Sequence, residues 1–267
     1  MGKEFLEKAL QHKQAGNRPL FIPYIMAGDG GLDRLEERIQ FLEDAGVAAI
    51  ELGIPFSDPV ADGPTIQEAG NRALKNGTTL TKILDILTNT KEKRSVPIIL
   101  MTYMNPVYAF GIEAFAKACQ EAGVDGVILP DLPMEEEDLV RDALRTNDIA
   151  HIRLAALTSP EDRIKEIAAR SEGFLYAVAV TGTTGARSST ETGVHEYLKT
   201  LKKYSNVPVL AGFGVSNAEQ ARELSASCDG VIVGSKIVDL LHKGNTEAVK
   251  QLITDTIRPR SKTPLVY

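Results

Sequence analysis

Short apolar runs recur through the chain, each followed by a turn and then by a stretch with helical spacing, and this alternation restricts the fold more than any other feature. The runs lie at residues 20–25, 47–50 (ending at Glu51), 96–101, 124–129, 150–154, 174–178, 207–210 and 230–233. Helical spacing is expected at about 3–15, 32–44, 65–75, 80–93 and 112–122. Further helices open at the acidic 135–138 and after Thr158-Ser159-Pro160-Glu161, where a hydroxyl can cap and a proline suits the first turn. Strands alternating with helices imply right-handed crossovers and a parallel sheet. Eight such units close into an α/β (β/α)8 TIM barrel, here with an extra N-terminal helix and an extra helix after strand two. Nothing rich in Ser, Pro or Gly marks a linker, so residues 1–267 read as a single TIM-barrel catalytic domain. A doubly wound open sheet is the alternative, but no GxGxxG follows the first strand to support it.

Composition narrows the partners. The net charge is −6 and no long basic run occurs, so nucleic acid is not expected to bind. Cys119 and Cys228 lie far apart and outside any CxxC, which fits a reducing compartment. The four histidines, His12, His151, His195 and His242, lack metal-ligand spacing; they are expected at the surface or at helix ends, and no metal is implied. The first residues are charged and amphipathic rather than a secretory signal, and no apolar run is long enough to span a bilayer. A cytoplasmic location without membrane contact is the expectation.

In a closed parallel barrel every strand C-terminus faces one opening. Glu51, the proline-rich acidic loop through Asp62, Tyr103, Tyr176 and the glycine turns after the last three strands would therefore share a mouth. Glu51 is flanked by Leu52 and Ile54, so desolvation can raise its proton affinity and let it exchange protons near neutral pH. An ion pair at a strand end is the other reading of Glu51, and a turn or helix-entry role that of Asp62. Asp58, between Ser57 and Pro59, reads as a loop stiffener. Across the mouth, Gly182 to Gly185, Gly212-Phe213-Gly214-Val215-Ser216 and Gly234-Ser235-Lys236 offer close backbone approach and a helix N-terminus to an anion. Plain strand-to-helix turns would look similar.

Four stretches carry a resemblance: Phe21-Ile22-Pro23-Tyr24-Ile25-Met26-Ala27-Gly28-Asp29, the run from Glu51-Leu52-Gly53-Ile54-Pro55-Phe56 to Asp62-Gly63-Pro64, Pro130-Asp131-Leu132-Pro133, and Gly212-Phe213-Gly214-Val215-Ser216. Over nearly its whole length the chain resembles the alpha subunits of tryptophan synthase. The resemblance implies a lyase that splits indole-3-glycerol phosphate into indole and glyceraldehyde 3-phosphate by a retro-aldol reaction, with no cofactor in this chain. It implies Glu51 as acid and base, Asp62 at the indole N–H, and Tyr176 lining the pocket. Phosphate would fall to Gly185, Gly214, Gly234 and Ser235, and the indole ring to Tyr24, Met101, Ile128 and Phe213, which also suit plain core. It further implies a beta subunit that carries pyridoxal phosphate, in an alpha2beta2 heterotetramer, with Pro55, Asp58 and the loop around Thr184 in the contact and closure regions. Two departures bear on that loop and on communication with a partner: Gly182-Thr183-Thr184-Gly185 stands where Gly-Val-Thr-Gly is usual, and 153–157 lacks the customary proline. A stand-alone lyase releasing free indole, or a non-catalytic activating subunit, are the alternatives.

Overall fold

A computed structural model describes residues 1–178 and 191–259. α1 (Lys3–Gln14) leads into β1 (Leu20–Met26), α2 (Leu35–Asp44) and β2 (Ile50–Gly53). Two helices, α3 (Pro64–Lys75) and α4 (Leu80–Thr90), precede β3 (Ile98–Met101). Then come α5 (Met104–Phe110), α6 (Ile112–Glu121), β4 (Gly126–Ile128), α7 (Asp138–Thr146), β5 (Ala150–Ala156), α8 (Glu161–Arg170) and β6 (Leu175–Val178). The last units are α9 (Glu191–Tyr204), β7 (Val209–Gly212), α10 (Ala218–Ser225), β8 (Gly230–Val233), α11 (Ser235–His242) and α12 (Thr246–Thr256). The strands pair in sequence order, all parallel, and β8 returns to β1, which closes the expected barrel with its added α1 and its two helices after β2. None of the described helices is long and apolar enough to cross a membrane.

Alternation along each strand sorts the core. Ile50, Leu52, Ile98, Leu100 and Val127 face the helices, while Ile22, Ile99, Ile128, Ile152, Leu210 and Ile232 fill the barrel interior. Leu6 and Leu10 of α1 join the interior group beside Phe174, so the added N-terminal helix closes the bottom of the barrel. The upper rim is thereby left for polar groups. Helix starts follow local chemistry: Thr79 caps α4, Asn217 caps α10 and Asn245 caps α12, each through a side-chain oxygen that accepts a backbone N–H.

Several local expectations change. β2 begins at Ile50, so Glu51 is its second residue and not its last. Residues 47–49 are buried without counting as strand, although the Ala48 N–H still donates to the Phe21 carbonyl of β1 at 2.9 Å. The stretch expected to be a loop before residue 112 contains α5; Pro106 sits in its first turn, where no hydrogen bond is lost. Neither Thr158 nor Ser159 caps α8, whose N-cap is Pro160. Val233 runs straight through Gly234 into α11, whereas residues 213–217 separate β7 from α10. His151 is buried on β5, and its ring is held down to about pKa 4 by burial and then by the Arg153 charge. Glu137, in the acidic run expected to open a helix, is buried and receives Arg153 in a bidentate pair at 2.7 and 2.9 Å.

Candidate active site

Glu51 points into the barrel because its neighbours Ile50 and Leu52 face the helices. It pairs in register with Tyr24 on β1 and Ile99 on β3. The side chain is 0% exposed, and neither carboxylate oxygen has a hydrogen-bond partner among the described residues. That arrangement rules out the ion pair at a strand end. Burial, and then the Asp62 charge, push its pKa from 4.5 to about 8, so the acid is largely neutral at pH 7.

Asp62 arrives from the loop between β2 and α3 and is half-buried. Burial raises its pKa to about 6, while a hydrogen bond from the Tyr103 phenol works the other way, so it is a carboxylate at neutral pH. Its carboxylate takes no part in starting α3, which opens at Pro64 behind Gly63 without a side-chain cap. Only its backbone serves the helix entry: the Asp62 carbonyl accepts from Gln67 Nε2 at 2.8 Å.

Two tyrosines complete the interior wall. Tyr24 and Tyr176 are both held well above the usual phenol range, by burial first and then by the two acids, so both keep their protons. Glycines make room for them. A Cβ at Gly53 would stand 1.9 Å from Tyr24 Oη, and one at Gly212 would stand 2.4 Å from Tyr176 Cε1. Met101 and Ile128 are register partners on β3 and β4, and Met101 packs near both Tyr24 and the interior group. Phe213 is not drawn into this wall; it packs edge-on against Tyr197 at 6.3 Å, on the side that faces the helices.

The glycine turns lie on the same rim. Gly214 is exposed, has a positive φ of 67° and leaves open space where a side chain would stand. Gly234 precedes α11, which has no side-chain cap, and Ser235 is exposed at the first helical position. A Cβ on Gly234 would lie 3.6 Å from Tyr24 Cβ, so this turn touches the residue paired with Glu51. Gly185 and Thr184 lie outside the described residues, as do Thr181, Gly182 and Thr183. In the acidic loop Pro55 is buried and Asp58 exposed, the latter bonded to Ser57 Oγ at 2.5 Å.

One residue stood unassigned in the sequence. Tyr103 is expected at the rim there without a role, and only its place one residue beyond β3 hinted at one. In the structure its phenol oxygen accepts the Ala61 N–H, which sets the phenol beside Asp62.

Comparison with known proteins agrees with this geometry. Residues 10–262 match the family described as tryptophan synthase alpha chain. The chain is 60% identical over 257 residues to the tryptophan synthase alpha chain of Oceanobacillus iheyensis, covering 96% of this chain and 98% of that one. It is 50% identical over 256 residues to that of Bacillus cereus, with the same coverage. Among solved structures, tryptophan synthase subunit alpha from Legionella pneumophila superposes with a TM-score of 0.86 at 30% identity, covering 96% and 97% of the two chains. Mycobacterium tuberculosis tryptophan synthase superposes with 0.85 at 32% identity, covering 94% and 96%. With the closed barrel and its buried acid, these matches show that the chain belongs to the tryptophan synthase alpha chain family, the lyases that cleave indole-3-glycerol phosphate in tryptophan biosynthesis.

Proposed function

We propose that Glu51 is the acid and base of this cleavage and that Asp62 accepts the indole N–H. The observation that carries the reading is Glu51 itself, a fully buried carboxyl with both oxygens unpartnered among the described residues, beside a tyrosine that touches the Gly234 turn. A neutral Glu51 has a proton to give to indole C3. That protonation places a positive charge on the ring nitrogen, which the Asp62 carboxylate stabilises. As a carboxylate, Glu51 then takes the proton of the glycerol hydroxyl next to the ring. The hydroxyl oxygen becomes a carbonyl, the C–C bond to C3 breaks, and its electrons restore neutral indole, so the protonated ring is the electron sink. Glu51 ends the cycle protonated, as it began.

Tyr24, Tyr176, Met101 and Ile128 form the wall for the ring, with Tyr176 beside the acid. Gly214, Gly234 and Ser235 hold phosphate through backbone N–H groups and the N-terminal end of α11, with Gly185 as a further contributor. Phe213 reaches the ring only by leaving Tyr197. The chain works as one domain over residues 1–267, in the cytoplasm, with a beta subunit in an alpha2beta2 heterotetramer. The loop carrying Pro55 and Asp58 and the segment around Thr184 face that partner. Pyridoxal phosphate lies in the beta chain.

The test is a coupled assay of indole-3-glycerol phosphate cleavage by wild type, Glu51→Gln and Asp62→Asn, with and without a beta subunit. Glu51→Gln is expected to lose about 1,000-fold or more in kcat and Asp62→Asn roughly 100-fold or more, with the fold unchanged. Near-wild-type turnover in either variant removes that residue from the mechanism. Full activity of the isolated chain, unaltered by a beta subunit, favours a stand-alone lyase.

A further inference from the structure

The Pro130-Asp131-Leu132-Pro133 motif has no part in the steps above, yet Asp131 reaches the site through two contacts. Its carboxylate oxygens accept the Met104 backbone N–H at 3.0 and 3.1 Å. Met104 opens α5, and the preceding Tyr103 supplies no cap of its own, so an acid from the next β/α unit caps this helix. Tyr103 is 3% exposed, and its ring packs 5.6 Å from that of Phe56 in the acidic loop. Its phenol oxygen accepts the Ala61 N–H at 3.1 Å. The phenol keeps a single proton to donate, and Asp62, the next residue after Ala61, is the acid beside it.

The geometry points to Tyr103 as the positioning residue of Asp62, with Asp131 as the strut that fixes Tyr103 by capping α5. This rests on the reading of Asp62 as the indole N–H acceptor. Among the described residues the acidic loop has little else to aim that acid. Its backbone is tied by Val60 N–H to Asp58 at 3.0 Å, by Asp62 N–H to Pro59 at 3.1 Å and by Gln67, while Val60 is 83% exposed. Small errors in aim are costly in a preorganised site. Ionisation is at stake as well. Asp62 is faced by Glu51 from β2, Tyr24 from β1, Tyr176 from β6 and Tyr103 from the start of α5, with Asp131 behind Tyr103. Burial favours the protonated acid, and the Tyr103 hydrogen bond favours the carboxylate that the indole N–H requires.

Cleavage kinetics as a function of pH test this in Tyr103→Phe, Asp131→Ala, Asp131→Asn and Asp62→Asn. In Tyr103→Phe, kcat is expected to fall about 10- to 100-fold, with KM changed less. The acid limb of its profile should rise by about one pH unit, because Asp62 then holds its proton to higher pH. Asp131→Ala should move both quantities in the same direction by less, and Asp131→Asn, whose amide oxygen still accepts from Met104, should restore most of the loss. A wild-type kcat and acid limb in Tyr103→Phe, beside an inactive Asp62→Asn, overturns the assignment and leaves the Asp62 reading standing. A wild-type rate in Asp62→Asn removes that reading itself. Should Tyr103→Phe fail to fold, a carbon-13 carboxyl titration of Asp62 in Asp131→Ala decides instead: a raised pKa supports the strut and an unchanged one overturns it.

Discussion

At Glu51 the fold keeps a carboxyl group where water cannot reach it and no donor among the described residues meets it. Its pKa of about 8, against 4.5 when exposed, means that the folded chain binds this proton more tightly than the unfolded one. The linkage therefore runs opposite to that of a salt-bridged acid. The stability tied to this group is complete below about pH 4.5 and is lost as pH rises towards about 8. Glu51→Gln keeps the shape of the neutral acid and cannot ionise. Urea unfolding at an acidic and at an alkaline pH should show the variant gaining on wild type as pH rises, by on the order of a few kcal/mol. A difference that does not vary with pH would mean that Glu51 ionises in the folded state as freely as in water. Gly53 and Gly212 belong to the same logic, since each stands where a side chain would occupy the space of a tyrosine ring that faces this acid.

Among the elements, α11 separates stability from binding. It starts directly after β8, has no side-chain cap and exposes Ser235 at its first position. An acid there would complement the helix dipole, worth about 0.3–1 kcal/mol of stability. The same charge would repel a phosphate held by that terminus. Ser235→Asp is therefore expected to raise the urea midpoint slightly while increasing KM for indole-3-glycerol phosphate by about tenfold or more. A raised midpoint with unchanged KM would show the turn to be only a strand-to-helix connection. The acidic loop shows the complementary arrangement, for its Ala61 N–H bonds a tyrosine from the next unit, and the helix that follows this tyrosine is capped in turn by an aspartate from the unit after that.

For the whole molecule, the barrel divides labour along its axis. α1 and the interior residues Leu20, Ile22 and Phe174 close the lower end, and the loops that follow the strands, that of Asp62 among them, lie at the upper one. Between barrel and helices, Arg153 of β5 and Glu137 before α7 form a bidentate pair with both side chains under a tenth exposed. Removing one partner leaves a buried charge without its match, a cost of about 3–5 kcal/mol. Glu137→Ala should therefore lower the melting temperature markedly. KM measured below that temperature should stay near wild type, since the pair faces the helices and not the mouth. A matching rise in KM would place the pair in contact with the site.

The order of strands and helices and the barrel they close were legible in the sequence, as was the meeting of Glu51 and Asp62 near one mouth, because burial periodicity and long motifs are local in the chain. Element limits were less so: apolar spacing reports burial, so it ran past the start of β2, and a proline hid the first turn of α5. What only the tertiary structure decided was pairing across units. Whether Glu51 met a cation among the described residues, whether Phe213 packed on Tyr197, and which group bonded the loop beside Asp62 depend on residues far apart in sequence. Composition and spacing specify which face of an element is buried; what that face meets is set by closing the barrel, which brings Tyr103 and Asp131 to a loop some forty or more residues earlier in the chain.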